Sequence, residues 1–485
     1  MNQVSASKPL RRAVVLGGGI TGLVAAHRLR EGARERGISL EITLAEAGGR
    51  FGGSIQTARE AGFVMERGPD CFLSTKPEGL ALCRELGLEG NLAGTKSAHR
   101  RSFILRNGRL VPVPEGFYLL APSSMLPFIT TPIFSPLGKL RMAMDFFIPA
   151  RKETGDETLA SFVRRRFGQQ ALERMAQPMI AGIYSADPEE LSLEATMPQF
   201  LEMERTHGSV IRALRKRMRG MAASSQKSST SGPRYGLFLT LDTGMESMVD
   251  ALLERIPAES LRSNARATSL RPEGERWRVG FEDEGEIEAD AVCLALPAGS
   301  TQKLVKDLSR GLADRLSEIP AGSVVTLNLA FDRGQVAHPL DGMGFVVPEI
   351  ESRILLACSF SSSKFEGRAP DGKVLLRAFV GGAQGKMAFD LSDDEMIERV
   401  MAELGPLLGI RGAPEAAVLT RYPGAMAQYR LGHIERVSAI EDEMKKLPGL
   451  AVAGSAYRGV GIPDCAAGAG EAATLLLDRI ASLSN

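Results

Sequence analysis

The 485-residue chain is 44% hydrophobic and 24% charged, with a formal net charge of +1. That balance excludes a disordered chain and a bulk nucleic-acid binder, and it allows two or three domains around a large core. Five scattered cysteines (Cys71, Cys83, Cys293, Cys358 and Cys465) form no CxxC pair, which argues against a disulfide framework or a structural zinc site and points to a reducing, cytosolic setting.

The N-terminal segment MNQVSASKPLRR has no apolar h-region, so no export signal is expected. A short strand, Ala13 to Leu16, leads into Gly17-Gly18-Gly19-Ile20-Thr21-Gly22. A helix from Leu23 to about Glu35 and a second strand, Leu40 to Leu44, complete a βαβ opening that ends near Glu46. In GxGxxG the first glycine (Gly17) permits the tight turn, the second (Gly19) lets a pyrophosphate approach the backbone, and the third (Gly22) lets helix and strand pack closely. The helix start offers unpaired N–H groups and a partial positive charge. Glu46 supplies a carboxylate for ribose hydroxyls and would repel a 2′-phosphate, leaving FAD or NAD as the ligand. Ala47-Gly48-Gly49-Arg50-Phe51-Gly52-Gly53-Ser54 follows at once. Its E-x₃-R-x-G-G pattern resembles the flavin amine oxidase superfamily and selects FAD, with Arg50 able to reach the phosphates.

Further along, Gly116 to Gly138 carries no charge, but Pro122, Pro127, Pro132 and Pro136 oppose a lipid-exposed spanning helix. Short helices and loops are expected. They form either a monotopic surface helped by Lys139, Arg141, Arg151 and Lys152, or the apolar lining of a substrate cavity. Arg212, Arg215, Lys216, Arg217 and Arg219 gather positive charge along a helix, as a solvated face or an attraction to anionic lipid. Ala222 to Arg234 reads as a polar loop. The later half alternates strands (Trp277 to Phe281, Ala291 to Leu296, Val324 to Phe331, Val374 to Val380) with helices such as Asp394 to Leu408. A last strand, Leu450 to Ala453, runs through Gly454 and the Gly459 to Asp464 loop into an alanine-rich helix, a second helix N-terminus. Placed at a flavin's pyrimidine edge, it would stabilise the charge that develops there on reduction. The five histidines (His27, His99, His207, His338, His433) form no evident catalytic pair or metal set, and no metal is expected.

Four segments narrow the resemblance: Glu66-Arg67-Gly68-Pro69-Asp70, Phe103-Ile104-Leu105-Arg106-Asn107-Gly108, Ala181-Gly182-Ile183-Tyr184-Ser185-Ala186-Asp187-Pro188, and Tyr457-Arg458-Gly459-Val460-Gly461-Ile462-Pro463-Asp464-Cys465. In order and nearly end to end, the chain resembles the oxygen-dependent, FAD-containing protoporphyrinogen oxidase family. The resemblance implies an α/β (α+β) fold. A Rossmann-like FAD domain would be assembled from residues 10–90, 237–305 and 437–485. A helical membrane-contacting insertion would span 91–183, and a mixed-sheet substrate domain 184–236 and 306–436.

The implied reaction is six-electron oxidation of protoporphyrinogen IX to protoporphyrin IX in haem biosynthesis, with O2 as acceptor and H2O2 as product. The alternatives are oxidation of coproporphyrinogen III to coproporphyrin III, or another flavin amine oxidase or desaturase reaction. The implied setting is cytoplasmic, with peripheral contact on the inner face of the cell membrane, a possible homodimer and no nucleic acid.

By the same resemblance, FAD contacts fall on Gly17, Gly18, Gly19, Ile20, Thr21, Gly22, Glu46, Ala47, Arg50, Gly53, Ser54, Gly68, Pro69, Asp70, Ala267, Ser455, Val460, Gly461 and Ile462. The Gly182 backbone carbonyl would orient the macrocycle N–H groups, and Val346 and Phe365 would wall the ring or else belong to the ordinary core. The family position that often holds an arginine for a propionate is Ser102 here, a departure that shifts the expected cation to Lys76 or Arg101.

Overall fold

The protein was analysed as a computed structural model that describes residues 10–99, 101–118, 120–153, 155–225, 237–282, 285–381 and 387–483. A five-stranded sheet of parallel neighbours takes its strands in the spatial order Leu261–Arg262, Leu40–Ala45, Arg11–Leu16, Ala291–Leu294 and Leu450–Val452. Its central strands are apolar on both faces because both are covered: the helices Ile20–Glu35 and Ile462–Ser482 lie on one, and the antiparallel sheet of Ala267–Glu273, Arg276–Phe281 and Gly285–Ala289 packs on the other. The helices Ile20–Glu35 and Ile462–Ser482 pack on each other so closely that a Cβ at Gly32 would strike the Leu477 side chain. The first helix begins at Ile20 rather than Leu23, because Gly19 already takes the extended N-cap conformation.

A seven-stranded mixed sheet runs in the order Ala416–Ala427, Ala321–Asp332, Lys373–Val380, Leu355–Ser359, Gly344–Val346, Phe103–Arg106 and Arg109–Pro112. Strand alternation divides its long central strand between two tasks. Val325, Leu327, Leu329 and Phe331 are buried under Met396, Val400, Leu404 and Leu408 of the helix Asp393–Leu408. Each such side chain contributes about 1.5–3 kcal/mol of burial. On the other face, Thr326 donates to the Arg67 carbonyl at 2.8 Å and Asn328 to that of Glu66 at 2.9 Å. The mixed sheet thereby holds the Glu66–Asp70 segment.

Two expected boundaries are corrected. Phe103–Arg106 and Arg109–Pro112 lie inside 91–183 but form the edge of the mixed sheet rather than part of a helical insertion, because Phe103 and Ile104 pair in parallel with Phe345 and Val346. Conversely, the helices from Leu193 to Ser225, expected with the substrate domain, pack on the helical region, where Phe200, Val210, Ile211 and Leu214 share a core with Phe128, Phe134 and Phe162. A buried ionic knot joins the two. Arg166 Nε donates to Asp145 Oδ1 at 2.6 Å and its Nη1 to Glu204 at 3.3 Å, while Ser209 donates to Asp145 at 2.5 Å. The proline-rich stretch folds as short helices, Met125–Thr130 and Pro136–Ala143. The expected loop from Ala222 starts later, since the helix Val210–Ser225 continues through Ser225 and residues 226–236 lie outside the described residues.

Candidate active site

Parallel strands point their C-terminal ends to one edge, and a crevice at that edge is where α/β sheets bind ligands. Five chain segments meet there: the Gly17–Gly22 turn after the first strand, Glu46–Ser54 after the second, the turn from Asn264 to Ala267, Ala295, and the Gly454–Ile462 loop after the last. Their mutual packing depends on missing side chains. A Cβ at Gly22 would collide with the Gly17 carbonyl oxygen, one at Gly17 with the Ala295 carbonyl, and one at Gly68 with the Ser54 carbonyl. Gly17 also has φ +102°, a conformation that glycine adopts without strain. In front of Gly19, by contrast, the space is open, the nearest atom to an added Cβ being Gly53 Cα at 4.0 Å.

No side chain caps the helix at Gly19. Its first N–H groups, those of Ile20 and Thr21, have no intrahelical acceptor and form an anion-binding end. Glu46 is pinned beside it: Oε2 accepts from Gly18 N and Oε1 from Gly48 N, both at 2.7 Å. Each carboxylate oxygen keeps lone-pair capacity for a hydroxyl donor. The backbone of Ala265 donates to the Glu46 carbonyl at 2.8 Å, bringing the approach to Ala267 against the same wall. An open glycine floor, an uncapped helix start and a fixed carboxylate together fit an adenosine dinucleotide.

The second helix start lies alongside. Gly461 caps Ile462–Ser482, and Asp464 accepts from Gly461 N at 3.2 Å. Cys465, in its first turn, sits against Thr21 of the first helix, and burial pushes its thiol up to about 11. Ser455 and Val460 are half-buried in the loop between. On the opposite side, Asp70 is held well below the usual carboxylate range. Burial opposes ionisation there but is outweighed by Lys364, whose Nζ lies 2.8 Å from Oδ2, and by Arg377. Arg377 also donates to the Arg67 and Gly68 carbonyls. Glu66 pairs with buried Arg368 at 2.9 Å, yet its carboxyl is raised, because burial outweighs that charge.

Gly182 lies in the helix Gln177–Tyr184, which follows a π-helical turn, Leu172–Ala176, and ends at Ser185 with φ +48°. Its carbonyl is among the last of the helix and accepts no hydrogen bond among the described residues. A Cβ there would meet only Val346 Cγ1, at 4.0 Å, so the two expected substrate contacts are neighbours. Tyr184, two residues on, has its hydroxyl raised to about 12 by burial and, secondarily, by the charge of Asp464. The end of this helix therefore adjoins the C-terminal loop.

Several expected residues are engaged otherwise. Arg50 turns back on its own loop, donating to Gly53 O at 2.7 Å, Ile55 O at 2.8 Å and Glu246 at 3.1 Å. Lys76 is paired with both oxygens of Asp464, at 2.5 and 2.6 Å, and Arg101 with Asp341. Neither offers a free charge to a propionate in this arrangement. Phe365 is 1% exposed and lies beneath Lys364 and Arg368 at 4.9 and 5.8 Å, so it packs the ionic cluster rather than walling an open cavity. Sequence reasoning also passed over Tyr429, which with His433 grips the C-terminal loop. Tyr429 precedes the helix that His433 begins, so no helical spacing announces the pair.

Residues 20–477 match the family of flavin containing amine oxidoreductases. The chain is 35% identical over 456 residues to a coproporphyrinogen III oxidase of Bacillus subtilis (strain 168), covering 94% of this chain and 95% of that protein. It is 26% identical to protoporphyrinogen oxidase 2, chloroplastic/mitochondrial, of Arabidopsis thaliana, covering 98% and 95%. A crystal structure from Exiguobacterium sp. 255-15 superposes with a TM-score of 0.85 at 31% identity, covering 98% of this chain and 100% of that one.

Proposed function

This chain belongs to the protoporphyrinogen/coproporphyrinogen oxidase branch of the flavin amine oxidase superfamily, as an FAD-dependent oxidoreductase, and on that premise we propose that it oxidises coproporphyrinogen III to coproporphyrin III, with O2 as acceptor and hydrogen peroxide as product. The observation that carries the reading is the pair of helix N-termini on one sheet edge beside the unbonded Gly182 carbonyl. Between substrates, the 35% identity to a coproporphyrinogen III oxidase, against 26% to a plant protoporphyrinogen oxidase, favours the tetrapropionate over the protoporphyrinogen IX first expected.

When bound, FAD supplies the electron-accepting chemistry. What the chain contributes is placement. Ile20 and Thr21 N–H groups would hold the pyrophosphate, and Glu46 would accept from the ribose. The Gly182 carbonyl would accept from a macrocycle N–H, with Val346 against the ring, fixing which face meets the cofactor. Lys76 or Arg101 would hold a propionate only by exchanging Asp464 or Asp341 for it. Initial rates of peroxide release with coproporphyrinogen III and protoporphyrinogen IX test this reading. Faster turnover of the former is expected, equal rates would refute the substrate choice, and no peroxide with either would refute the porphyrinogen reading.

The proline-rich helices would rest on a membrane surface. Leu126, Ile129, Leu137, Leu140 and Phe147 are 59–85% exposed on adjoining segments, which Lys139 ties together by donating to the Ile129 carbonyl at 2.5 Å. Among the described residues no helix is long and apolar enough to cross a membrane. Exposed apolar side chains rimmed by lysine and arginine suit burial in one leaflet.

A further inference from the structure

Two buried side chains outside the proposed contacts hold the C-terminal loop by its backbone. Tyr429 is 2% exposed and His433, the first residue of the helix His433–Met444, is 0% exposed. Their rings stack with centroids 3.9 Å apart and planes 13° apart. Tyr429 Oη donates to the Ser455 carbonyl at 2.7 Å and accepts from Gly459 N at 2.8 Å. His433 Nε2 donates to the Tyr457 carbonyl at 2.8 Å. About two turns further along the same helix, Glu441 accepts from Arg458 Nε and Nη2 at 2.8 and 2.6 Å. Four of the five loop residues from Ser455 to Gly459 are thereby latched, and the helix Ile462–Ser482 starts three residues later. Gly459 is also where an added Cβ would strike Asp464, so the loop has no slack to absorb a shift.

We propose that Tyr429 and His433 are positioning residues that hold the Ser455–Gly461 loop, and with it the N-terminus of the Ile462–Ser482 helix, against bound FAD, so that they set the reduction potential of the cofactor without touching substrate. The inference rests on the reading of that helix start as a cofactor contact. The physical link is differential: the helix end carries a partial positive charge, which favours the reduced cofactor, carrying more negative charge, over the oxidised one. A loop that recedes loses more affinity for the reduced form.

Tyr429→Phe deletes only the hydroxyl and leaves the stack in place. In the holoenzyme, the ratio of affinities for reduced over oxidised FAD is expected to fall about tenfold, which lowers the two-electron midpoint potential by about 30 mV. KM for the porphyrinogen should stay unchanged. Asp464→Asn, a direct change in the first turn of the helix, is measured beside it. His433→Phe, which removes the bond to Tyr457, replaces Tyr429→Phe if that variant does not fold. A potential that moves in the Tyr429 variant supports the proposal. If it stays within a few millivolts while Asp464→Asn shifts it, Tyr429 and His433 are structural only and the proposal falls. If neither variant shifts it, the loop does not face the cofactor, and the underlying reading falls as well.

Discussion

Burial of His433 makes a quantitative claim about acid stability. The imidazole is pushed down to about 4, mainly because burial disfavours its charged form. The Tyr457 carbonyl and Asp156 pull it back upward, and Arg436 and Arg458 depress it further. In the unfolded chain it titrates near 6.5. Above about pH 6.5 both states are neutral, and the full stabilisation is present. As the pH falls from 6.5 to 4, the unfolded chain takes up the proton first, so stability declines, and below 4 this group contributes no further loss. The gap of about 2.5 units corresponds to about 3 kcal/mol, of which about 2.5 kcal/mol is lost by pH 4.5. Denaturant unfolding of the apoprotein at pH 7.5 and 4.5, compared with His433→Gln, isolates this contribution, because glutamine does not titrate and the other groups cancel in the difference. The parent should lose about 2.5 kcal/mol more than the variant between the two pH values. A difference below about 0.5 kcal/mol would refute the burial argument.

Three other outcomes follow from the same structure. Gly22→Ala forces the turn and helix apart; losing two phosphate hydrogen bonds at about 1.5–3 kcal/mol each should weaken FAD binding by about a hundredfold or more, read by fluorescence titration of the apoprotein. A change under threefold would show that the Ile20 end is not the phosphate site. Arg368→Met strands Glu66 without its partner and should cost about 3–5 kcal/mol in denaturant unfolding, most of it recovered in the double variant with Glu66→Gln. Leu137→Glu with Phe147→Glu should abolish cosedimentation with vesicles containing anionic lipid while leaving turnover of dispersed substrate intact, and unchanged cosedimentation would rule out the leaflet contact.

Local signals made the cofactor edge legible, and distant ones did not. The Gly17–Gly22 turn, Glu46 and the Gly459–Asp464 loop announce themselves because each depends on glycine conformation and on a strand that runs into a helix within a few residues. The partners of the substrate-side residues were not legible because charge pairing is not local. Lys76 meets Asp464 from 388 residues away, and Arg101 meets Asp341 from 240. Phe365 carries the same letter whether it faces a cavity or an ionic cluster; only the tertiary arrangement of Lys364, Arg368 and Glu66 decides. Likewise Asp145, Arg166 and Glu204 look like polar surface positions until three helices enclose them, and the place of Phe103–Arg106 in the mixed sheet shows only once Phe345 and Val346 pair with it.

The parallel sheet has a consequence for synthesis on the ribosome. The strand Arg11–Leu16 is made some 280 residues before its neighbour Ala291–Leu294, and Leu450–Val452 closes the sheet after that. At about 5–20 residues per second, the nascent βαβ unit waits on the order of a quarter of a minute to a minute for Ala291–Leu294. Through that interval the edge of Arg11–Leu16 is unpaired and apolar, a template for wrong partners. Such non-local pairing is slow to form once the chain is complete. Expression yield and the demand for chaperones should therefore depend on how fast the distal strands are delivered, and less on the intrinsic stability of the opening unit.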